Sequence, residues 1–257
     1  MKKYVVLFVF ASLFFAAMGF AQDAAPAAKK DFVIGVEQIE YQPYYGLNPA
    51  KPEEYIGYAR EFFDAFAKEK GYTFTYKMLP VKRLFAEFFD KQVDFKFPDN
   101  PGWSADERKD KTITYSESIC DFTDGLMIHV DNKDVTADKL VEIGTVRGFT
   151  PFTYLDLMAK GLKCSEANTI GALMQQVESK RIDGAYGNII VSQQAVKDSG
   201  LDAGKFMFAE QLPHHKDAYK LSTQMYPELV NEVNAWMVEK ADFVKELRAK
   251  WGIKMHN

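Results

Sequence analysis

The sequence predicts an α/β protein with mainly parallel sheets. Two observations carry this. Short strand patterns and one-faced helix patterns take turns along the chain from Phe32 to Trp251, and strands separated by helices pair in parallel with helices on both faces. The composition also supports a real core: 47% of residues are hydrophobic, with 21 Phe and 13 Tyr.

Phe32 to Val36 is a compact apolar strand. Pro52 to Lys70 carries Ala59, Phe62, Phe63 and Phe66 at helical spacing, and Gly71 can close that helix. Tyr72, Phe74, Tyr76 and Met78 alternate with polar residues and predict a strand. Val81 to Asp90 is a helix with Leu84, Phe85, Phe88 and Phe89 on one side, and Val93 to Phe97 a strand. Ile143 to Val146 is a strand, and Phe152 to Lys160 a helix stopped by Gly161. Asn168 to Ser179 repeats helical spacing through Ile170, Leu173, Met174 and Val177. Ile182 to Tyr186 is a short strand, Ile189 to Ser199 a helix stopped by Gly200, and Phe206 to Ala209 a strand. Pro227 to Glu239 and Asp242 to Trp251 are amphipathic helices. Such sheets bind ligands at the carboxyl ends of their strands.

The start of the chain reads differently. Lys2 and Lys3 precede an uncharged apolar run from Tyr4 to Phe20, and Gly19-Phe20-Ala21 offers small residues for a signal peptidase. Residues 1–21 are therefore expected to be a cleaved signal peptide. A transmembrane anchor is the alternative, but a span needs about 20 apolar residues, and this run is shorter and lacks a basic stop. No Cys follows the site, which argues against a lipid anchor and for a freely diffusing periplasmic protein. Residues 22–30 form an Ala-rich leader with Pro26, expected to be disordered.

Without Lys2 and Lys3 the balance is 30 basic against 36 acidic residues, a net of −6, with no basic run. Nucleic acid is not an expected partner. Cys120 and Cys164 either pair in an oxidising compartment or stay as buried thiols. No Gly-x-Ser-x-Gly, His-Glu-x-x-His or phosphate loop is present. His214-His215 is an adjacent pair without metal-ligand spacing, and no metal, cofactor or catalytic residue is expected.

A series of short motifs carries a resemblance. Phe32-Val-Ile-Gly-Val36 with Pro43-Tyr44, Tyr55-Ile-Gly-Tyr58, Lys91-Gln-Val-Asp94, Ser104-Ala-Asp-Glu-Arg108 and Ile113-Thr-Tyr-Ser116 follow one another in the first half. Ile143-Gly-Thr-Val-Arg-Gly148-Phe-Thr150 and Lys180-Arg-Ile-Asp-Gly-Ala-Tyr-Gly-Asn188 follow in the second. In this order and spacing, the chain from about Asp31 to Ile253 resembles the family 3 solute-binding proteins of ABC transporters, the group that includes polar amino acid receptors. Several positions depart from the family pattern: Ala59 replaces an Asp, Lys91 and Lys180 each replace a Gly, and Asn188 replaces an Asp.

The resemblance implies two α/β lobes with mainly parallel sheets joined by two crossover strands, the periplasmic binding protein-like II fold. Lobe one would comprise 31–122 plus 213–257, and lobe two 123–212. The ligand would sit between them. Arg108 would hold a carboxylate through its planar fork, although its Asp-Glu-Arg-Lys-Asp surroundings also suit a solvated surface residue. Thr150 and its turn would complete the anion site, or Thr150 would serve as an N-cap. Arg147 faces either the cleft or solvent. Asn188 stands where amino acid receptors place an Asp, and Asp99 would supply the missing negative charge or simply belong to an Asp-Asn turn. Tyr41, Tyr44, Tyr45, Trp103, Phe149 and Tyr186 fall near strand ends, where rings either sandwich a planar or cationic ligand or belong to the core. The ligand-binding set is then Arg108, Thr150, Asp99, Asn188, Tyr44, Trp103, Tyr186 and Phe149. Asp121, Asp124 and Asp217 near the crossovers suit either hinge hydrogen bonds or an acid–base pair.

The function implied is a monomeric periplasmic receptor that traps a small polar, amino-acid-like or carboxylate-bearing solute by lobe closure and delivers it to an inner-membrane ABC permease. The alternatives are a dehydratase-like enzyme of the same fold and a ligand sensor for a membrane receptor.

Overall fold

The computed structural model describes Met1 and residues 30–255, so the expected signal peptide and leader lie outside the described residues apart from Met1 and Lys30. The chain opens with β1 (Asp31–Glu37) and a hairpin of β2 (Gly46–Asn48) and β3 (Lys51–Ile56). α1 (Tyr58–Lys70), β4 (Thr73–Leu79), α2 (Val81–Phe89) and β5 (Phe95–Asp99) follow, then one-turn α3 (Ala105–Arg108) and β6 (Thr114–Tyr115). β7 (Cys120–His129) leads to β8 (Glu142–Val146), α4 (Leu155–Ala159), β9 (Lys163–Ala167), α5 (Ile170–Glu178), β10 (Gly184–Asn188) and α6 (Ile189–Asp198). β11 (Phe206–Phe208), β12 (His215–Thr223), α7 (Pro227–Glu239) and α8 (Ala241–Lys250) complete it.

The strands form one hydrogen-bonded path in the order β4-β1-β5-β12-β7-β10-β8-β9, with β6 on β12 and β11 on β7. Each end of the path is a parallel trio, β4-β1-β5 and β10-β8-β9. Antiparallel strands join the trios. The first part of β12, His215 to Tyr219, pairs with β7, and its second part pairs with β5 through Lys220 and Ser222, with a register shift between those two residues. β12 thus belongs to both halves of the sheet. α7 returns to the first half, where Trp236 meets Phe62 and Phe66 of α1 edge-on at 5.4 and 5.6 Å. That burial explains the Phe-rich face of α1.

Most expected elements are present within a few residues. Two differ in kind. Residues 52–56 belong to β3 rather than to the helix, because Gly57 adopts φ 111° and packs its backbone against Tyr45, where a Cβ would come 2.7 Å from the Tyr45 Cα. α1 therefore starts at Tyr58. The helix expected over Phe152 to Lys160 is a 3-10 turn (Phe152–Tyr154) followed by five-residue α4, and no side chain caps either start. Among the described residues, no helix is long and apolar enough to cross a membrane. Cys120 is buried and Cys164 half-buried, both free thiols.

Candidate functional site

A cavity of about 640 Å³ lies where the two halves of the sheet face each other. The first half contributes Glu37 at the end of β1, Tyr41 and Tyr45 from the next loop, Phe85 of α2 and Trp103. The second half contributes the Gly148-Phe149-Thr150 turn after β8, Phe152, and Tyr186 of β10. Asp124 of β7 and Tyr219 of β12 line it from the joining strands. The cavity thus gathers residues at strand ends, as parallel sheets present them.

The halves touch around it. Phe149 meets Tyr41 edge-on at 5.6 Å, the Asn188 backbone N–H donates to the Tyr41 hydroxyl at 3.3 Å, and a Cβ on Gly148 would stand 3.2 Å from the Val81 Cβ.

Two of the acids that line the cavity, Glu37 and Asp124, are buried. Glu37 is buried and its Oε2 accepts a bond from the Tyr45 hydroxyl at 2.6 Å. Burial raises its pKa, the Lys96 charge opposes that, and Asp99 adds to it. Asp124 is 9% exposed, and its buried Oδ1 has no hydrogen-bond partner among the described residues. Burial, helped by the Glu37 charge, pushes its pKa up to about 7. Burial raises the phenol pKa values of Tyr41, Tyr44, Tyr186 and Tyr219, and the Asp124 charge adds to each shift.

No protein-family profile matches the chain. The arginine-binding extracellular protein ArtP of Bacillus subtilis is 24% identical over 262 aligned positions, covering 98% of each chain. A substrate-binding protein of an ABC uptake transporter from Streptococcus pneumoniae, with bound histidine, superposes with a TM-score of 0.67 at 15% identity, over 86% of this chain and 92% of its own. An ancestral amino-acid-binding protein, a precursor of cyclohexadienyl dehydratase, gives 0.67 at 18% identity, over 86% and 95%. This chain has the periplasmic binding protein fold.

On that fold, four of the eight residues expected to bind ligand line the cavity: Trp103, Phe149, Thr150 and Tyr186. The other four are committed elsewhere. Arg108 gives Nη2 and Nη1 to Asp99 at 2.6 and 3.1 Å, a further Nη1 bond to the Tyr115 hydroxyl at 2.6 Å, and its Nε to the Trp103 carbonyl. Asp99 is wholly buried and also accepts from Lys96 at 3.0 Å and Ser222 at 2.5 Å. The expected ligand pair is thus saturated within the protein. Asn188 caps α6, its Oδ1 accepting from the Ile190 and Val191 amides at 2.8 and 3.2 Å. Its Nδ2 donates to the Tyr219 hydroxyl at 3.3 Å. The Tyr44 hydroxyl donates to the Asp121 carbonyl at 3.1 Å, with the ring in the core.

The remaining candidates also separate. Arg147 stands 3.6 Å from Glu166 on the surface, 67% exposed. Thr150 is exposed and precedes only the 3-10 turn. Asp121 accepts from Ser118 at 2.6 Å, and Asp217 is held by the Ala218 amide and His215. Of those three acids only Asp124 faces the cavity. Glu37 escaped the motif reading, although its place at the carboxyl end of the first parallel strand is a usable signal.

Proposed function

We propose that the chain is a solute receptor that closes its two lobes on a small polar molecule outside the inner membrane and passes it to an ABC permease. The observation that carries this is the cavity itself, walled by both halves of the sheet and by the strands that join them. The lobes would be 31–122 plus 213–257 and 123–212, with β7 and β12 as hinges. Residues of the joining strands can absorb the rotation of a hinge closure while both lobes stay rigid. The description of the pneumococcal neighbour as an ABC uptake transporter substrate-binding protein supports the permease as partner. The description of ArtP as extracellular supports an exported protein, and a signal peptide ending at Ala21 would deliver it to the periplasm as a monomer.

An enzyme reading has one observation in its favour: a carboxyl in the cavity with a pKa near 7 suits acid–base work. A single experiment separates the two. A thermal-shift panel of amino acids, polyamines, organic acids and sugars is followed by mass spectrometry of whatever raises the melting temperature. A stabilising solute recovered intact supports the receptor. A stabilising solute that is consumed supports the enzyme, and a panel without any shift would sink both.

A further inference from the structure

We propose that the solute is an organic cation, such as a guanidine or an amine, held by the Asp124 carboxylate, and that the cleft requires no carboxylate on it. This rests on the receptor reading and names its substrate class.

The charges lining the cavity argue for it. Glu37, Asp124, Asp106 and Glu107 are acids, and Lys82, exposed on the second residue of α2, is the sole base among the lining residues. The deeper cations are already spent. Arg108 has both terminal nitrogens on Asp99. Lys96 is wholly buried and donates to Asp99 and, at 2.6 Å, to the Pro98 carbonyl. Two acids, Glu37 and Asp99, thus stand against two bases, Lys96 and Arg108. Asp124 is the carboxylate left over, nine-tenths buried with an unpartnered oxygen. A buried charge of that kind is costly unless a counter-charge arrives.

The groups facing Asp124 do not supply one. Asn188 lies opposite it on β10 and His215 opposite it on β12, where His215 Nε2 contacts Asp217 at 3.2 Å. Glu37 and the phenols of Tyr41, Tyr44, Tyr186 and Tyr219 are the other titratable neighbours. Aromatic rings line the space, among them Tyr41, Phe85, Trp103, Phe149, Phe152 and Tyr219; rings attract a cation more strongly once water is excluded, and Lys96 already stands 4.1 Å over Phe85 and 5.4 Å over Trp103. Among the described residues, no built anion site stands on the other side. The Gly148 turn leads into a three-residue 3-10 helix, too short to present a useful dipole end.

Agmatine and L-arginine share a guanidinium and differ in the carboxylate, so they test the proposal directly by calorimetry on the mature protein, with putrescine, L-glutamate and L-glutamine alongside. Agmatine should bind at least as tightly as arginine, within about threefold. Asp124→Asn, checked for an intact melting transition, should weaken agmatine about 30-fold or more, as expected for one partner of a buried charge pair. The unmutated protein gives a second reading that needs no variant. Agmatine affinity should rise about tenfold or more from pH 5.5 to 8 as Asp124 ionises, since the guanidinium stays charged throughout.

Arginine binding without agmatine binding, or an agmatine affinity that ignores both pH and Asp124→Asn, overturns the proposal. Glutamate or glutamine binding in place of the cations overturns it while leaving the receptor reading intact. No heat with any of the five solutes overturns it and counts against the receptor reading as well.

Discussion

Asp99 receives both terminal nitrogens of Arg108, at 2.6 and 3.1 Å, in a site where Asp99 has no exposure to solvent. The two residues that motif position assigns to opposite ends of a solute are partners of each other. A planar fork meeting a carboxylate is the strongest geometry open to either, and Lys96 and Ser222 complete it. The cluster is a strut under the cavity wall.

Arg108→Ala should therefore damage the fold more than the binding. It leaves Asp99 buried with Lys96 as its one countercharge among the described residues. Breaking a buried pair in this way costs about 3–5 kcal/mol. Urea denaturation should show that loss, while the affinity of the folded variant for its solute changes by less than about threefold. A large affinity loss with little change in stability would return Arg108 to the ligand.

The contrast shows what was legible in the sequence. Periodicity reports one element's own face, so α1, α2, α5, α7 and α8 were readable from their apolar spacing. β12 was not, because His215, Lys216, Asp217 and Lys220 interrupt its pattern while it pairs with β5 and β7, strands far away in sequence. The β2–β3 hairpin was hidden for a related reason: it turns on the Gly57 approach to Tyr45, a tertiary contact. At the cavity, motif position located the Phe149 turn and Tyr186, and position near a strand end located Trp103. It could not reveal that Asp99 and Arg108 neutralise each other, since pairing depends on how β5 and α3 meet. Asp124 was visible only as one acid among three near the crossovers, and burial separated it from Asp121 and Asp217.

Asn188 carries a prediction of its own. An Asn directly before Ile189-Ile190-Val191 is a helix start signal, and its side chain accepts from two amides of the first turn of α6. Asn188→Ala should cost about 1–2 kcal/mol in chemical denaturation, and Asn188→Ser should recover most of it. Equal stability of both variants would show that the cap contributes nothing.

Gly148 reports on closure. It holds φ 92°, and a methyl group there would approach Val81 across the cavity at 3.2 Å. Gly148→Ala adds backbone strain of about 1 kcal/mol or more in that conformation and crowds the contact between the halves. The open form should gain population. Small-angle scattering should show a larger radius of gyration with solute present than for the unmutated protein, and affinity should fall about tenfold. An unchanged scattering profile and affinity would remove Gly148 from the closing contact.

The Asp124 carboxyl should dominate the pH dependence of stability in the solute-free protein. Its ordinary pKa of 3.8 is pushed up to about 7 in the fold, by burial first and by the Glu37 charge second. An acid with a raised folded pKa favours folding while both states are protonated. That advantage is lost as pH climbs from about 4, where the unfolded chain gives up its proton, to about 7, where the folded one does too. The difference between the two values corresponds to about 4 kcal/mol. Glu37 is shifted the same way and adds to the trend. Asp131 and Asp217 are shifted down, so their contributions change only at lower pH. Solute-free protein should thus melt at a higher temperature at pH 5 than at pH 7.5. Asp124→Asn should raise the melting temperature at pH 7.5 and flatten the difference, because an amide never has to ionise in that site. A saturating cation should flatten it as well, from the other direction, by stabilising the ionised carboxylate. Should Asp124→Asn leave the slope of stability with pH unchanged, the acid responsible lies elsewhere and Asp124 holds no unpaired charge.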